Sequence, residues 1–400
     1  MIKIKESLIK NSFCILFLLV AISLHAQTKE IKGKILDNGN GESIEGVVII
    51  NTKNNKHTVS NEDGNFVISV DNRDDLVFNH INYQTKQLVG SEGMVVDLEV
   101  LNTELEEILV FKRPLYDVFS MALKSAMKTV EKGDLYKTYV REFNIVNKEQ
   151  VNVADGLVDF YVKKPTNRPL TDVIEHRVFK SVGDIGKDAE VEESIGVFGG
   201  DVRDALIKSV NLGSIERILK NTDSYEFITR RKVELNGKEI VIMEFAPKEG
   251  LKGWKYEQGY VVFDESLTKV LEYKFKFSDA YKDKMETMNL ILAKVDVYDY
   301  ERHAVFLDSE VEGYRLSYST DFIDISISAK RIGKHRVNLL NEIIVDTVIK
   351  NVEIPKQKQF KGNLFKEKSN YKTEFWKNRN IRPLSIKEQG ILNQLEEIKN

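Results

Sequence analysis

Ser125-Ala126-Met127-Lys128 has the spacing of a serine nucleophile. In S-x-x-K enzymes the serine hydroxyl stands beside a lysine, and K-T-G and S-D-N motifs complete the site. Neither partner motif occurs in the 400 residues, so the tetrapeptide reads as part of an ordinary amphipathic helix. Past the first 27 residues the histidines are His57, His80, His176, His303 and His335, and no two are three or four apart. That spacing offers no paired imidazoles for a metal and no H-E-x-x-H. Asp37-Asn38-Gly39-Asn40-Gly41-Glu42 and Asp71-Asn72-Arg73-Asp74-Asp75 could supply oxygen ligands to Ca²⁺, but neither has the EF-hand order and turn chemistry explains both. Glu192-Glu193 could serve acid–base chemistry only if the fold turned both into a cleft. No phosphate loop, dinucleotide fingerprint or G-x-S-x-G elbow is present. The chain therefore reads as a non-enzyme, with no catalytic, cofactor-binding or metal-binding residues.

The remaining chemistry is apolar. Phe143, Phe160, Phe245, Trp254, Tyr260, Phe263 and Phe275 fall on strands or at their ends. On an incompletely filled concave sheet face they would line a pocket for an acyl chain. The same residue types also make plain core.

The elements that must position these residues begin behind an export signal. Lys3, Lys5 and Lys10 precede an apolar run over residues 13–24, and Leu24-His25-Ala26 offers a cleavage site. The run is short for a bilayer span, so the expectation is a signal peptide over 1–26 and no transmembrane span in the mature chain. Cys14, the only cysteine, follows Asn11 and Phe13, which do not suit a lipoprotein signal. The mature chain would then have no disulfide and no thiol nucleophile. Net charge is −3 overall, or about −5 without the signal, and is mixed along the chain. A nucleic-acid partner would need a concentrated basic face, so none is expected.

Residues 28–110 alternate in period two between turn clusters, which predicts a small β-sandwich. Gly33/Asp37, Gly46-Val47/Ile49, Thr58/Ser60/Asp63-Gly64/Phe66/Ile68 and Leu76/Phe78/Ile81/Tyr83 form a recognisable series. This series resembles the carboxypeptidase-regulatory-like domain. The resemblance implies a transthyretin-like β-sandwich without catalytic residues, of a kind that often precedes outer-membrane receptors and surface proteins in Bacteroidota. His80 stands where many members have a small residue.

From 111 to 354 the pattern changes. Apolar residues at helical spacing over 114–132, with Pro114 at the start and Gly133 beyond the end, predict one helix of about five turns. Strands follow over 138–146, 150–163, 226–235, 239–245, 259–264, 269–278, 286–300, 303–311, 314–318, 322–329 and 340–353, and Asn236-Gly237 marks a hairpin. A second helix is expected over 203–220, with Asp201 near its start, and 184–201 reads as a loop. Lys232, Glu234, Lys238, Lys274, Lys276 and Lys294 interrupt the strands, which speaks against a transmembrane barrel. The expected fold is mainly β: a transthyretin-like sandwich, then a larger antiparallel meander, half-barrel-like, with a few covering helices. In strand order and hairpins the meander is similar to the LolA-like lipoprotein-carrier fold. Residues 355–400 form a tail whose last helix begins at Ser385, with Glu388 placed for a capping box.

The functional expectation is an exported cell-envelope protein, in the periplasm or at the outer membrane. It would act through an envelope protein partner in an interaction or scaffold role. The alternative is a periplasmic carrier of a lipid or other hydrophobic ligand.

Overall fold

The computed structural model describes residues 29–180, 201–366 and 383–393, apart from 55, 72, 102–106, 148–149, 234–238, 254–255, 285–286, 290–292, 310–312, 331–332, 357–358, 387 and 391–392. The segment expected to be an export signal, Glu192-Glu193, Asn236-Gly237, Trp254 and most of the tail lie outside the described residues.

The first strands are β1 (Lys29–Asp37), β2 (Val48–Asn51), β3 (His57–Val59), β4 (Asn65–Val70), β5 (Asp75–Asn79), β6 (Lys86–Val89) and β7 (Met94–Leu98). They form two small sheets, β4-β1-β7 and β3-β2-β5-β6. Alternating residues face inward, so Ile31, Ile35, Ile49, Phe66, Ile68, Leu76, Phe78 and Val96 make one core between the sheets. The motif glycines have physical reasons. A Cβ on Gly33 would collide with the Phe66 ring, and Gly64 turns the chain at a φ of 74°.

β8 (Glu107–Ile108) leaves the sandwich and pairs with a strand of the larger sheet. Helix α1 (Leu115–Lys128) follows, then β9 (Leu135–Val146), β10 (Gln150–Tyr161) and β11 (Leu170–Lys180), a strand the alternation pattern did not reveal. Next come helices α2 (Val202–Val210) and α3 (Gly213–Lys220). The single helix expected over 203–220 is thus two. The Asn211 side chain accepts from the Gly213 amide at 3.1 Å, turning the chain between them. Asp201 caps α2 by accepting from the Arg203 amide at 3.0 Å.

β12 (Tyr225–Val233), β13 (Glu239–Pro247), β14 (Glu257–Asp264), β15 (Val270–Phe277), β16 (Thr287–Asn289), β17 (Lys294–Ser309), β18 (Gly313–Ala329) and β19 (Gly333–Ile349) complete the fold. The pieces expected over 286–300 and 303–311 are one strand from 294 onward, and those over 314–318 and 322–329 are also one. Bulges in the β17–β18 pairing break the alternation without breaking the strands.

The twelve-stranded sheet has the order β11-β10-β9-β19-β18-β17-β15-β14-β13-β12-β8, with β16 beside β17. Its last strand, β19, pairs antiparallel with β9. The segment between β11 and β12 therefore carries α2 and α3 from one end of the sheet to the other. All three helices pack on one face through Phe119, Ala122, Leu206, Ile215 and Ile218. The sandwich occupies the opposite face. On β13, Val241, Met243 and Phe245 join the helix core, whereas Ile240 and Ile242 meet Ile81 of the sandwich.

Candidate functional site

The helix face is filled. Phe160, Phe245, Phe263 and Phe275 share one buried cluster with the helices, and Phe119 stacks on Phe263 with ring centroids 4.4 Å apart. The Tyr273 hydroxyl donates to the Ser209 carbonyl at 2.7 Å, fixing α2 on the sheet. The other two described aromatics of the expected pocket are elsewhere. Phe143 packs with Val153, Phe179, Leu340 and Leu384, and Tyr260 lies near Ile81. The reason is the two-residue period of strands, which sends neighbouring positions to opposite faces.

The opposite face holds the groups that sequence spacing did not bring together. Val48 and Val59 of the sandwich pack on Tyr139, Val305, Tyr318 and Ile344. Ser317 is the extra residue of a bulge, since Val305 pairs with Tyr318 and Phe306 with Leu316. Its carbonyl is met by Nε2 of His57 at 3.2 Å, so that ring nitrogen donates. Lys232, one of the charges that interrupted the strand pattern, is buried and donates to the carbonyls of His80 and Tyr83, each at 3.0 Å. His80, the residue that departs from the family pattern, thus sits at the domain junction. Burial pushes its imidazole down to about 4, with Glu272 acting against that and Lys232 with it. Burial would raise Glu272, but the His303 Nε2 contact at 2.9 Å and the Tyr260 hydroxyl at 2.6 Å hold it below its usual value.

Further along the same face, Arg141 is fully buried. Its Nη2 donates to the Tyr139 hydroxyl at 2.5 Å and stands 3.5 Å from Asp155. Asp155 also accepts from Arg177 at 2.6 and 2.9 Å and from Tyr139 at 2.7 Å. Charges this deep persist only when paired and hydrogen-bonded. On the helix side, Glu142 accepts from the Leu364 amide at 2.7 Å. Burial raises its carboxyl to about 8, against the effect of that amide and with a contribution from Asp201.

Among the described residues, cavities lie between sandwich and sheet, with His57 of β3 bordering one and Val59 the other. One, of about 280 Å³, is bordered by Lys56 and His57 with Tyr139, Leu157, Ile174 and Ile344. The other, of about 240 Å³, is bordered by Val59 to Glu62 with Phe143, His303, Tyr318, Phe322 and Glu342, and by Ser385 and Glu388 of the tail. The capping box legible in the sequence forms within the tail. The Glu388 amide donates to Ser385 Oγ at 3.1 Å and the Ser385 amide to Glu388 Oε2 at 2.8 Å. The Asn61 side chain donates to the Pro383 carbonyl at 3.3 Å, and the Ile386 amide donates to Asp63 at 2.6 Å.

The other sequence candidates are local structure. Ser125 donates to the Ala122 carbonyl of its own helix at 2.7 Å. Asp37 accepts from the Gly39 and Asn40 amides and from the Tyr83 hydroxyl, and Asp74 accepts from Asn51 and from the Asp71 amide. Among the described residues no group of three or more His, Cys, Asp or Glu side chains is placed to hold a metal ion. No described helix is long and apolar enough to cross a membrane.

The two-sheet sandwich, with its Gly33–Phe66 contact and its Asp63-Gly64 turn, is the decisive feature. Residues 31–110 match the CarboxypepD_reg-like domain. This is a non-catalytic, regulatory-type domain. Its matched span reaches past β7 to include β8, which belongs to the large sheet. No curated protein matches the chain. Among solved structures, lipovitellin is 8% identical over 60% of this chain, with a TM-score of 0.27. The chain spans 28% of that lipovitellin chain. A LolA superfamily protein of Nitrosomonas europaea is 10% identical, covering 59% of this chain and 94% of its own, with a TM-score of 0.18. Likeness at these TM-scores carries no argument for this chain.

Proposed function

We propose that this chain is an exported, non-catalytic envelope protein with an interaction or scaffold role beside outer-membrane machinery. The carrying observation is the arrangement of the CarboxypepD_reg-like domain. One of its sheets is packed on the large sheet, while end strands β6 and β7 carry Val89 and Val95, which are 51% and 57% exposed. End strands offer backbone groups to which a partner strand can be added, with exposed apolar side chains to give specificity. The alternative, a carrier holding an acyl chain under the helices, is less well supported, because Phe119, Phe160, Phe245, Phe263 and Phe275 fill that space.

Native mass spectrometry of residues 27–400, isolated gently from the native envelope, tests the reading. A co-isolated polypeptide is expected. Extra mass that organic solvent removes as lipid, with no polypeptide attached, would overturn it in favour of the carrier. Export is checked on the same sample by an N-terminal sequence beginning at Gln27.

A further inference from the structure

The 280 Å³ cavity is bordered by Val67, Ile68 and Ser69 of β4, an end strand of its sheet. β4 pairs with β1, and among the described residues no strand pairs with its other edge. The ladder fixes which backbone groups point that way. The Ile35 amide of β1 donates to the Gly64 carbonyl at 2.9 Å, whereas the Asn65 carbonyl accepts from the Asn61 amide at 3.0 Å. The Lys32 carbonyl, opposite Val67, accepts from the Gly93 amide just before β7 at 2.8 Å. Antiparallel pairs alternate between bonded and unbonded, so Val67 and Ser69 turn their N–H and C=O groups away from β1. The Ser69 carbonyl agrees, accepting from the Asn51 side chain at 3.1 Å.

The side chains around this cavity are already engaged. The Tyr139 hydroxyl is held between Asp155 and Arg141, Thr138 Oγ1 donates to the Val158 carbonyl at 2.7 Å, and His57 Nε2 meets the Ser317 carbonyl. Lys56 stands 3.8 Å from Asp346, and Lys137 lies opposite Asp159 in strand register. A charged ligand of either sign would have to compete with an existing pair. Tyr139, Leu157, Ile174 and Ile344 form an apolar wall, and exposed Lys56, Ile174 and Asp346 mark the mouth. An acyl chain would cover that wall but strip water from the β4 edge without replacing its hydrogen bonds. We infer that this cavity binds an extended peptide segment of a partner protein, added to the edge of β4 with an apolar side chain against Leu157, Ile174 and Ile344. The segment's own N–H and C=O groups pair with those of Val67 and Ser69. Contact over these three residues covers about 10 Å of strand. The inference rests on the interaction role in requiring a protein partner, but it uses β4 rather than β6 or β7.

The test is a titration of isotope-labelled residues 27–400 with the blocked pentapeptide acetyl-seryl-valyl-threonyl-valyl-serine amide, followed by amide NMR. Its counterpart with N-methylated backbone amides is the control, since it keeps the side chains and loses the donors. Saturable shifts at the Val67, Ile68 and Ser69 amides are expected from the unmethylated peptide alone, with Val89 and Val95 unmoved. Ser69→Pro removes one outward N–H without touching the β1 ladder, as an edge strand allows, and should weaken binding about tenfold, read at Val67. Ile174→Asp, at a position 53% exposed, should weaken it about three- to tenfold. Circular dichroism checks that each variant folds, and Ile174→Asp decides alone if Ser69→Pro does not fold. No saturable shift, equal binding of the N-methylated peptide, or affinity unchanged in the folded variants would overturn the inference. Shifts at Val89 or Val95 instead would also overturn it, while leaving the interaction role at β6 and β7 standing.

Discussion

The two faces of the large sheet solve burial in different ways. The helix face is mostly apolar, with Phe119 against Phe263 and with Leu206, Ile215 and Ile218 filling the layer beside buried Glu142 and Glu257. The sandwich face mixes apolar contacts with buried polar and charged groups: Lys232 on carbonyls, Arg141 and Arg177 on Asp155, and the His303 ring against Glu272. Apolar layers stabilise without direction, whereas polar groups contribute only in one arrangement. The helix face thus supplies cohesion. The other face sets how the sandwich is placed and leaves cavities at the seam.

The largest break in that comparison should come from the helix face. Phe263→Ala removes a fully buried ring and should cost about 3–5 kcal/mol, read as a lower urea midpoint. On the other face, Lys232→Met removes a buried ammonium that holds two sandwich carbonyls. The expected loss is about 2 kcal/mol, with faster proteolysis between β7 and α1 as the distinguishing readout.

The two faces should also titrate in opposite senses. Glu142, raised to about 8 in the folded state, binds its proton more tightly there than in the unfolded chain. Its contribution to stability is present below its unfolded value near 4.5 and is lost as pH rises toward 8. Glu142→Gln should therefore raise the melting temperature at pH 8 relative to wild type and have little effect at pH 5. His80 is lowered to about 4, so the unfolded state binds more protons between pH 4 and 6.5 and stability falls as pH falls through that window. His80→Gln should flatten that acid limb. Melting curves of both variants from pH 4 to 8.5 check the pair, and a common sign would end the contrast. The smallest effect is expected from Ser385→Ala. Loss of the cap should cost about 1 kcal/mol locally and show as faster amide exchange at Glu388 and Gln389.

Much of this was legible because it depends on local spacing. The sandwich series from Gly33 to Tyr83, the start of α1 at Pro114 and the Ser385–Glu388 box each rest on residues a few positions apart. β11 was missed, since Leu170–Lys180 mixes Asp172, Glu175, His176 and Arg177 with its apolar residues. Arg177 makes sense only beside Asp155, which pairs with it in register. The six described aromatics were legible as core types but not as split between two faces. Which face each takes depends on strand register, and bulges such as that at Ser317 shift it.

The sequence by itself determined the sandwich, the strand-rich second region, the capped tail and the absence of a familiar catalytic motif. Tertiary structure alone decided that the sandwich covers the second face of the large sheet, that β19 closes onto β9, and that Lys232, His80 and His303 meet at one seam. The physical reason is distance along the chain. Turns, caps and alternation act over two to five residues, whereas the seam joins groups about 150 to 260 positions apart, whose pairing is fixed only when whole layers dock.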